Sequence, residues 1–321
     1  MPRFYNWSKY FYRWGKNSLV NILATPNGFK FCFKSFKKLI NPGHVYELSG
    51  GLISCKDLLI QKLKDKDAVI IGSENIDKEV LDSCPNLKLI VRFGSGLEKV
   101  DEDYASYKGI KVINYKSKET IKSVANLCLS FSLSYIFNFH EHHKDNKSEQ
   151  WVRHINKSAE NVRIGLIGFG DIAQRFYKIG SKVGFKFSYF SRNQRKKETI
   201  PYHSSLEELI ELNDIISIHL PSDKNTENMI KKEHLALMKS KALINTSRAN
   251  IINKVDLYDS LSKNIPKMFY TDVLHNEPPT SVDFNTLSLP NILSTSHIGG
   301  YSENALKDVT AFCIKQINEQ L

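Results

Sequence analysis

Late in the chain, three apolar runs each end on side chains able to hold an anion or pass a proton. Ala242-Leu-Ile-Asn-Thr-Ser-Arg248 delivers a guanidinium, and Lys267-Met-Phe-Tyr-Thr-Asp272-Val273 delivers a carboxylate, with Glu277-Pro278 just behind it. Asn291-Ile-Leu-Ser-Thr-Ser-His297 delivers an imidazole. Histidine is suited to general acid–base work, a neighbouring carboxylate fixes its ring, and arginine grips a carboxylate or phosphate through paired N–H groups. A satisfied structural histidine would be the plain alternative for His297.

These side chains need a scaffold, and the sequence supplies one upstream. An apolar strand at 162–167 runs into Gly168-Phe169-Gly170-Asp171-Ile172-Ala173, followed by Phe176, Ile179 and Val183 at helical spacing. Strand, glycine turn and helix in that order form the dinucleotide fingerprint: Gly168 permits the turn, Gly170 admits a pyrophosphate, and Ala173 lets helix lie close on strand. Roughly twenty residues further on, an NAD enzyme would place an acidic residue to accept bonds from a ribose hydroxyl. This chain has Ser191-Arg192 there, followed by Arg195, Lys196 and Lys197. A hydroxyl and several cations suit a 2′-phosphate, so NADP(H) is expected ahead of NAD(H), with a solvated basic loop as the plainer reading. Asp171 runs against this trend, because a carboxylate beside a pyrophosphate is unfavourable unless it turns to solvent. A further strand at 214–221 ends in His219-Leu220-Pro221, ahead of Thr226.

The first third of the chain alternates strand and helix, with strands expected at 19–24, 68–72, 87–91 and 110–113 and helix at 56–63 and 35–40. The strand at 87–91 leads into Arg92-Phe93-Gly94-Ser95-Gly96. Its backbone N–H groups could face an anion, although a structural turn would look the same. One long helix is expected from 119 to about 143, with Trp151 plugging the junction after it. His140 and His143 share a face of that helix, but no further ligand accompanies them and no metal site is expected. Five scattered cysteines read as buried thiols in a reducing cytoplasm, and no apolar run reaches the length of a membrane span. The net charge of +11 suits an anionic cofactor and substrate. Residues 1–17, aromatic and basic, read as an extension packed on its own subunit or a dimer partner, with an interfacial or nucleic-acid-binding arm as the alternative. Neither nucleic acid nor membrane is an expected partner of the whole chain.

Taken in order, Arg92-Phe-Gly-Ser-Gly96 with Asp101, Gly168 to Ala173, His219-Leu-Pro221 with Thr226, Asn245-Thr-Ser-Arg248, Asp272 with Glu277-Pro278, and His297-Ile-Gly-Gly300 resemble the D-isomer-specific 2-hydroxyacid dehydrogenases. The group in question includes D-3-phosphoglycerate, glyoxylate/hydroxypyruvate and formate dehydrogenases. The resemblance implies an α/β protein of two Rossmann-like or flavodoxin-like domains, each a parallel sheet flanked by helices. It implies a discontinuous substrate domain at 18–120 plus 298–321 and a dinucleotide-binding domain at 121–297. It also implies hydride transfer between the cofactor and a D-2-hydroxy acid or 2-keto acid; a homodimer is expected. Arg248 would orient the substrate, His297 would act as acid/base with Glu277 as its partner, and Asp272 would accept the nicotinamide carboxamide. Gly168, Phe169, Gly170, Asp171, Ile172, Ser191, Arg192, His219, Leu220, Pro221, Thr226, Thr246, Ser247 and Gly300 would complete the cofactor site. Arg92, Ser95 and Gly96 would meet substrate.

The residue types fit that chemistry: reducing a 2-keto acid needs hydride at carbon and a proton at oxygen, which His297 could donate while Arg248 polarises the carbonyl. The chain departs from the family pattern at Ala249-Asn250, where Gly-Gly is usual, at Asn126, where Glu is usual, and at Asn114-Tyr-Lys-Ser117. Ala249 is expected to alter the Arg248 loop, and Tyr115 and Lys116 to alter the meeting of the domains. A rival reading from another class is a dinucleotide-responsive regulatory protein of corepressor type.

Overall fold

Runs of Val, Ile and Leu without polar alternation form strands buried on both faces, and both sheets of this protein are wholly parallel. The computed structural model describes residues 19–195 and 199–321. The extension at 1–17 and the cations Lys196 and Lys197 therefore lie outside the described residues. The chain divides into two units, one running to Ser117 and taking in Leu306–Leu321, the other Lys118–Ala305. The divisions drawn from sequence were 120 and 298.

In the first unit, β1 (Val20–Ala24), β2 (His44–Leu48), β3 (Ala68–Ile71), β4 (Leu89–Arg92) and β5 (Lys111–Ile113) lie in the order β2-β1-β3-β4-β5. Helices α1 (Asn27–Phe33), α2 (Lys56–Leu63), α3 (Lys78–Asp82) and α4 (Glu102–Tyr107) connect them. This is the flavodoxin-like strand order. Residues Lys34–Leu39 form a 3-10 turn in place of the expected helix. β2 escaped the sequence reading: it is an edge strand paired only with β1, so no residue of it is fully buried.

The second unit opens with α5 (Lys118–Ile136) and α6 (Phe139–Lys147), followed by β6 (Arg163–Ile167), α7 (Asp171–Val183), β7 (Lys186–Phe190) and β8 (Tyr202–His203). Then come α8 (Leu206–Leu212), β9 (Ile215–Ile218), α9 (Lys232–Ala236), β10 (Ala242–Asn245), α10 (Lys254–Leu261), β11 (Met268–Thr271), α11 (Ser281–Leu287) and β12 (Ile292–Ser294). The sheet order is β12-β11-β10-β9-β6-β7-β8. Read from β6 outward, this is the Rossmann arrangement extended by one strand, with its switch point between β6 and β9. The expected single helix at 119–143 is broken: Asn138 adopts φ 50°, and α5 and α6 diverge by 60°. No single helix among the described residues is long and apolar enough to cross a membrane. Trp151 plugs nothing within its unit, being 83% exposed.

A last helix, α12 (Glu303–Gln320), returns the chain to the first unit, where Val309, Cys313, Ile314 and Ile317 pack on Ile22, Ile70, Leu89 and Val91. Tyr115, expected to alter the meeting of domains, stacks instead on Phe312 of this helix with ring centroids 4.2 Å apart. Ser117 Oγ donates to Asp308 at 2.6 Å. Burying an aliphatic side chain of this size contributes about 1.5–3 kcal/mol, so α12 is an integral part of the first unit.

Candidate active site

At the switch point, Gly168 has φ +89°, and a Cβ there would stand 2.8 Å from the His219 carbonyl. A side chain is excluded on both counts. A Cβ at Gly170 would meet nothing within 4 Å, and Gly170 caps α7 without any side-chain acceptor. An open cradle at the start of a helix fits a pyrophosphate. Ala173, in the first turn of α7, is fully buried, as close helix–strand packing requires.

Around this turn the predicted cofactor residues divide. Phe169 belongs to the core, stacked on Tyr189 at 4.4 Å, so only its backbone is available, whereas Ile172 packs against the same core and stays partly exposed. His219 Nε2 lies 2.9 Å from Ser217 Oγ. Burial pushes its imidazole down to about 3, which keeps it neutral. Leu220 packs into the neighbouring core, while Pro221 is tied to Thr226, whose hydroxyl donates to its carbonyl at 2.7 Å. Thr246 Oγ1 is 3.3 Å from Cys128 Sγ. That thiol is pushed up to about 12 by burial and stays protonated. Of the five cysteines four are buried as expected, but Cys55 is exposed.

At the end of β7, Ser191 Oγ donates to the Asn193 carbonyl at 2.7 Å, and Tyr202 Oη donates to the Ser191 carbonyl at 3.3 Å. Arg192 and Arg195 are exposed, and residues 191–195 contain no carboxylate.

On the same carboxyl-end rim, the side beyond β10, β11 and β12 is far more heavily bonded. His297 Nδ1 lies 2.7 Å from Glu277 Oε2, with the imidazole 46% and the carboxylate 28% exposed. An ionised carboxylate only accepts, so Nδ1 carries the shared proton and Nε2 is left to face a ligand. Glu277 is itself held, its Oε1 accepting from the Leu274 N–H at 2.9 Å. His297 has φ +54°, a left-handed backbone that costs a non-glycine residue about 1–3 kcal/mol and persists only where neighbours enforce it. Asp272 enforces it. Its Oδ1 accepts from Thr295 Oγ1 at 2.5 Å and the Ile298 N–H at 2.7 Å, and its Oδ2 accepts from the Gly299 N–H at 2.7 Å. Asp272, 2% exposed, thus shapes the histidine loop, a role the sequence reading missed. Gly299 is required to be small, since a Cβ would stand 2.9 Å from Asp272 Oδ2.

Arg248 follows β10 and is organised by Asn245, which is fully buried. Asn245 Nδ2 donates to the Arg248 carbonyl at 3.0 Å, while its Oδ1 accepts from the Ser247 N–H and hydroxyl at 3.1 and 2.9 Å. One guanidinium nitrogen of Arg248 donates to the Ser247 carbonyl at 2.8 Å. Ala249 begins a 3-10 turn at Ala249–Ile251 with φ outside the left-handed region, so its Cβ imposes no backbone penalty on the loop. Gly300 lies in the turn after His297, where a Cβ would meet only Thr120 Cγ2, at 3.5 Å.

In the first unit, Arg92 braces its own turn, donating from Nε to the Gly96 carbonyl at 3.0 Å and from Nη1 to the Phe93 carbonyl at 2.6 Å. Asn114 Nδ2 donates to the Ser95 carbonyl at 2.6 Å, and the Tyr115 N–H donates to that of Gly94 at 3.0 Å. The N–H groups of Ser95 and Gly96 enter none of these bonds. No group of three or more His, Cys, Asp or Glu among the described residues has the placement to hold a metal ion.

A parallel sheet with a glycine turn at its switch point and a histidine–carboxylate pair on its rim defines a nicotinamide-dinucleotide oxidoreductase. The chain belongs to the D-isomer specific 2-hydroxyacid dehydrogenase family, whose NAD binding domain description matches residues 129–299. Members of that family act on the CH–OH group of donors with a nicotinamide dinucleotide. The chain is 30% identical over 311 residues to a D-3-phosphoglycerate dehydrogenase of Methanocaldococcus jannaschii, covering 94% of this chain and 58% of the relative. It is 29% identical to a hydroxypyruvate reductase of Thermotoga maritima, covering 83% and 88%. A D-lactate dehydrogenase of Aquifex aeolicus, solved with NAD and lactic acid, shares the fold with a TM-score of 0.80 at 23% identity, over 93% of this chain and 94% of that one. The comparisons do not favour the corepressor alternative.

Proposed function

We propose that this protein is an NADP(H)-preferring 2-keto acid reductase, running reversibly as a D-2-hydroxyacid dehydrogenase. The observation that carries the reading is the His297–Glu277 pair, 2.7 Å apart, with His297 on a loop that a buried aspartate holds in a left-handed turn. The bound cofactor would supply or accept the hydride. His297 Nε2 donates the proton to the carbonyl oxygen while Glu277 holds the ring and balances its charge. Arg248 binds the substrate carboxylate and polarises the carbonyl. Asp272 keeps acceptor capacity beyond its three protein donors, and we retain it as a partner for the nicotinamide carboxamide.

Gly168 to Ile172, His219 to Pro221, Thr226, Thr246, Ser247 and Gly300 are proposed to surround the cofactor, chiefly through backbone. In the first unit, the Ser95 and Gly96 N–H groups are proposed to bind a carboxylate, with Arg92 shaping that turn. Half-buried Ser191 and exposed Arg192 and Arg195, in a stretch 191–195 that contains no carboxylate, support a 2′-phosphate. Glyoxylate, hydroxypyruvate and 3-phosphohydroxypyruvate are the substrates to try first, given the printed activities of the relatives.

Free cysteines, four of them buried, support a cytoplasmic setting. Self-association is supported by an apolar patch of Phe137, Phe139, Trp151, Val152 and Ile155, the last 93% exposed. The patch is drawn together by the Lys157 N–H on the Ile136 carbonyl at 3.0 Å and by Asn138 Nδ2 on the Ile155 carbonyl at 3.2 Å. Sedimentation of the Trp151→Asp/Ile155→Asp variant should report a lighter species than the wild type; equal masses would contradict the dimer.

A panel of 2-keto acids assayed with both reduced cofactors tests the function. Faster NADPH than NADH oxidation is expected; equal or better use of NADH would overturn the cofactor preference, and no turnover with any acid would overturn the activity.

A further inference from the structure

Glu277 sits on a loop between β11 and α11, and the loop is secured from outside by one carboxylate. Asp283, 5% exposed, is the third residue of α11. Its Oδ2 accepts from the Thr280 N–H at 2.9 Å and the Thr280 hydroxyl at 2.7 Å, a capping box of the kind common at helix starts. Two further donors lie outside that motif. Asn276 Nδ2, from the residue just before Glu277, reaches the same Oδ2 at 2.8 Å, and Lys254 Nζ, from the start of α10, reaches Oδ1 at 3.2 Å. Asp283 therefore fastens the chain on both sides of Glu277 and pins that loop to a separate helix.

Resting on the functional reading above, we propose that Asp283 is a positioning residue for proton transfer: through Asn276 and Thr280 it holds Glu277 where its Oε2 meets His297 Nδ1. Burial alone would push the Asp283 carboxyl up. The bonds from Thr280, Asn276 and Lys254 outweigh burial and hold the carboxyl well below the usual carboxylate range, so it acts as a permanent anion. A neutral amide at 283 would turn its own NH2 toward donors or leave donors unmatched. The loop would then loosen at the residues flanking Glu277, while the glycine turn after β6, at the switch point, would stay as it is.

The test is a double-mutant cycle on the full chain. Asp283→Asn should lower kcat by about tenfold or more, with the KM for NADPH changed less than about twofold. In a Glu277→Gln background the same change should cost almost nothing further, because the group being positioned is already disabled. Losses that multiply, or an unchanged kcat in Asp283→Asn, would overturn the proposal. Should Asp283→Asn fold poorly, Asn276→Ala removes one strap alone and must show the same dependence on Glu277.

The imidazole nitrogen resonances of His297 in 15N-labelled protein read the Glu277 contact without turnover, and they should move in Asp283→Asn. Unmoved resonances would overturn the positioning role. Absence of turnover in the wild type together with moved resonances would overturn only the functional reading.

Discussion

The two ends of the second unit's sheet are built in opposite ways. At the rim carrying His297, one buried carboxylate takes three donors, a second takes four, and Asn245 knots the Arg248 loop. At the end of β7, the described residues Arg192 to Arg195 are exposed, and the bonds from Ser191 Oγ, Tyr202 Oη and the Arg195 N–H are what hold them. Proton transfer tolerates little misplacement, and buried, multiply bonded side chains supply the rigidity. Discrimination of a 2′-phosphate, as proposed, needs charge within reach of solvent, which the exposed Arg192 and Arg195 provide. The proposed function thus puts proton transfer at the heavily bonded side and cofactor selectivity at the exposed one.

If that contrast holds, mutations should sort by end. Glu277→Gln should lower kcat on the order of a hundredfold with little effect on cofactor binding, measured by steady-state kinetics and cofactor titration. A change confined to KM would break the contrast. Arg192→Ala should act on selectivity alone, reducing the NADPH-over-NADH ratio of kcat/KM by about tenfold while leaving kcat with saturating cofactor near wild type. Loss of kcat there would show that the two ends are not separable.

The smallest effect belongs to the switch point. His219 is held neutral by burial, with its folded pKa lowered from 6.5 to about 3. Between those values the unfolded chain binds a proton that the folded chain does not, so this group's stability contribution is complete above about pH 6.5 and declines as pH falls. His219→Gln should flatten the fall in thermal midpoint between about pH 6.5 and 5; an unchanged slope would place the neutral histidine in doubt.

Much of this was legible in the sequence because parallel strands deliver their last residues to one edge. Arg248, Asp272 and His297 could be read as rim residues from three apolar runs, and Gly168 from strand–turn–helix punctuation. What the sequence hid depends on contacts between distant segments. Asp272 could be read as a rim carboxylate but not as the clamp of the histidine loop until donors 23 to 27 residues away fold onto it, and Asp283 looks like an ordinary acidic residue until a lysine 29 residues away reaches it. The stack of Tyr115 on Phe312 was hidden because α12 lies at the far end of the chain. The helix break at Asn138 was hidden because both sides carry helical sequence, and a single left-handed residue leaves no periodic signature. β2 was missed because a half-exposed edge strand lacks the continuous apolar run that marked its neighbours.

Whether His297 supplies the proton at a keto-acid carbonyl is tested most directly by a single-turnover experiment. With enzyme in excess over NADPH and glyoxylate or hydroxypyruvate saturating, the wild type should consume the cofactor in one phase. His297→Ala, shown by titration to bind NADPH as the wild type does, should slow that phase by about a thousandfold. A His297→Ala rate within a few-fold of wild type would contradict that role.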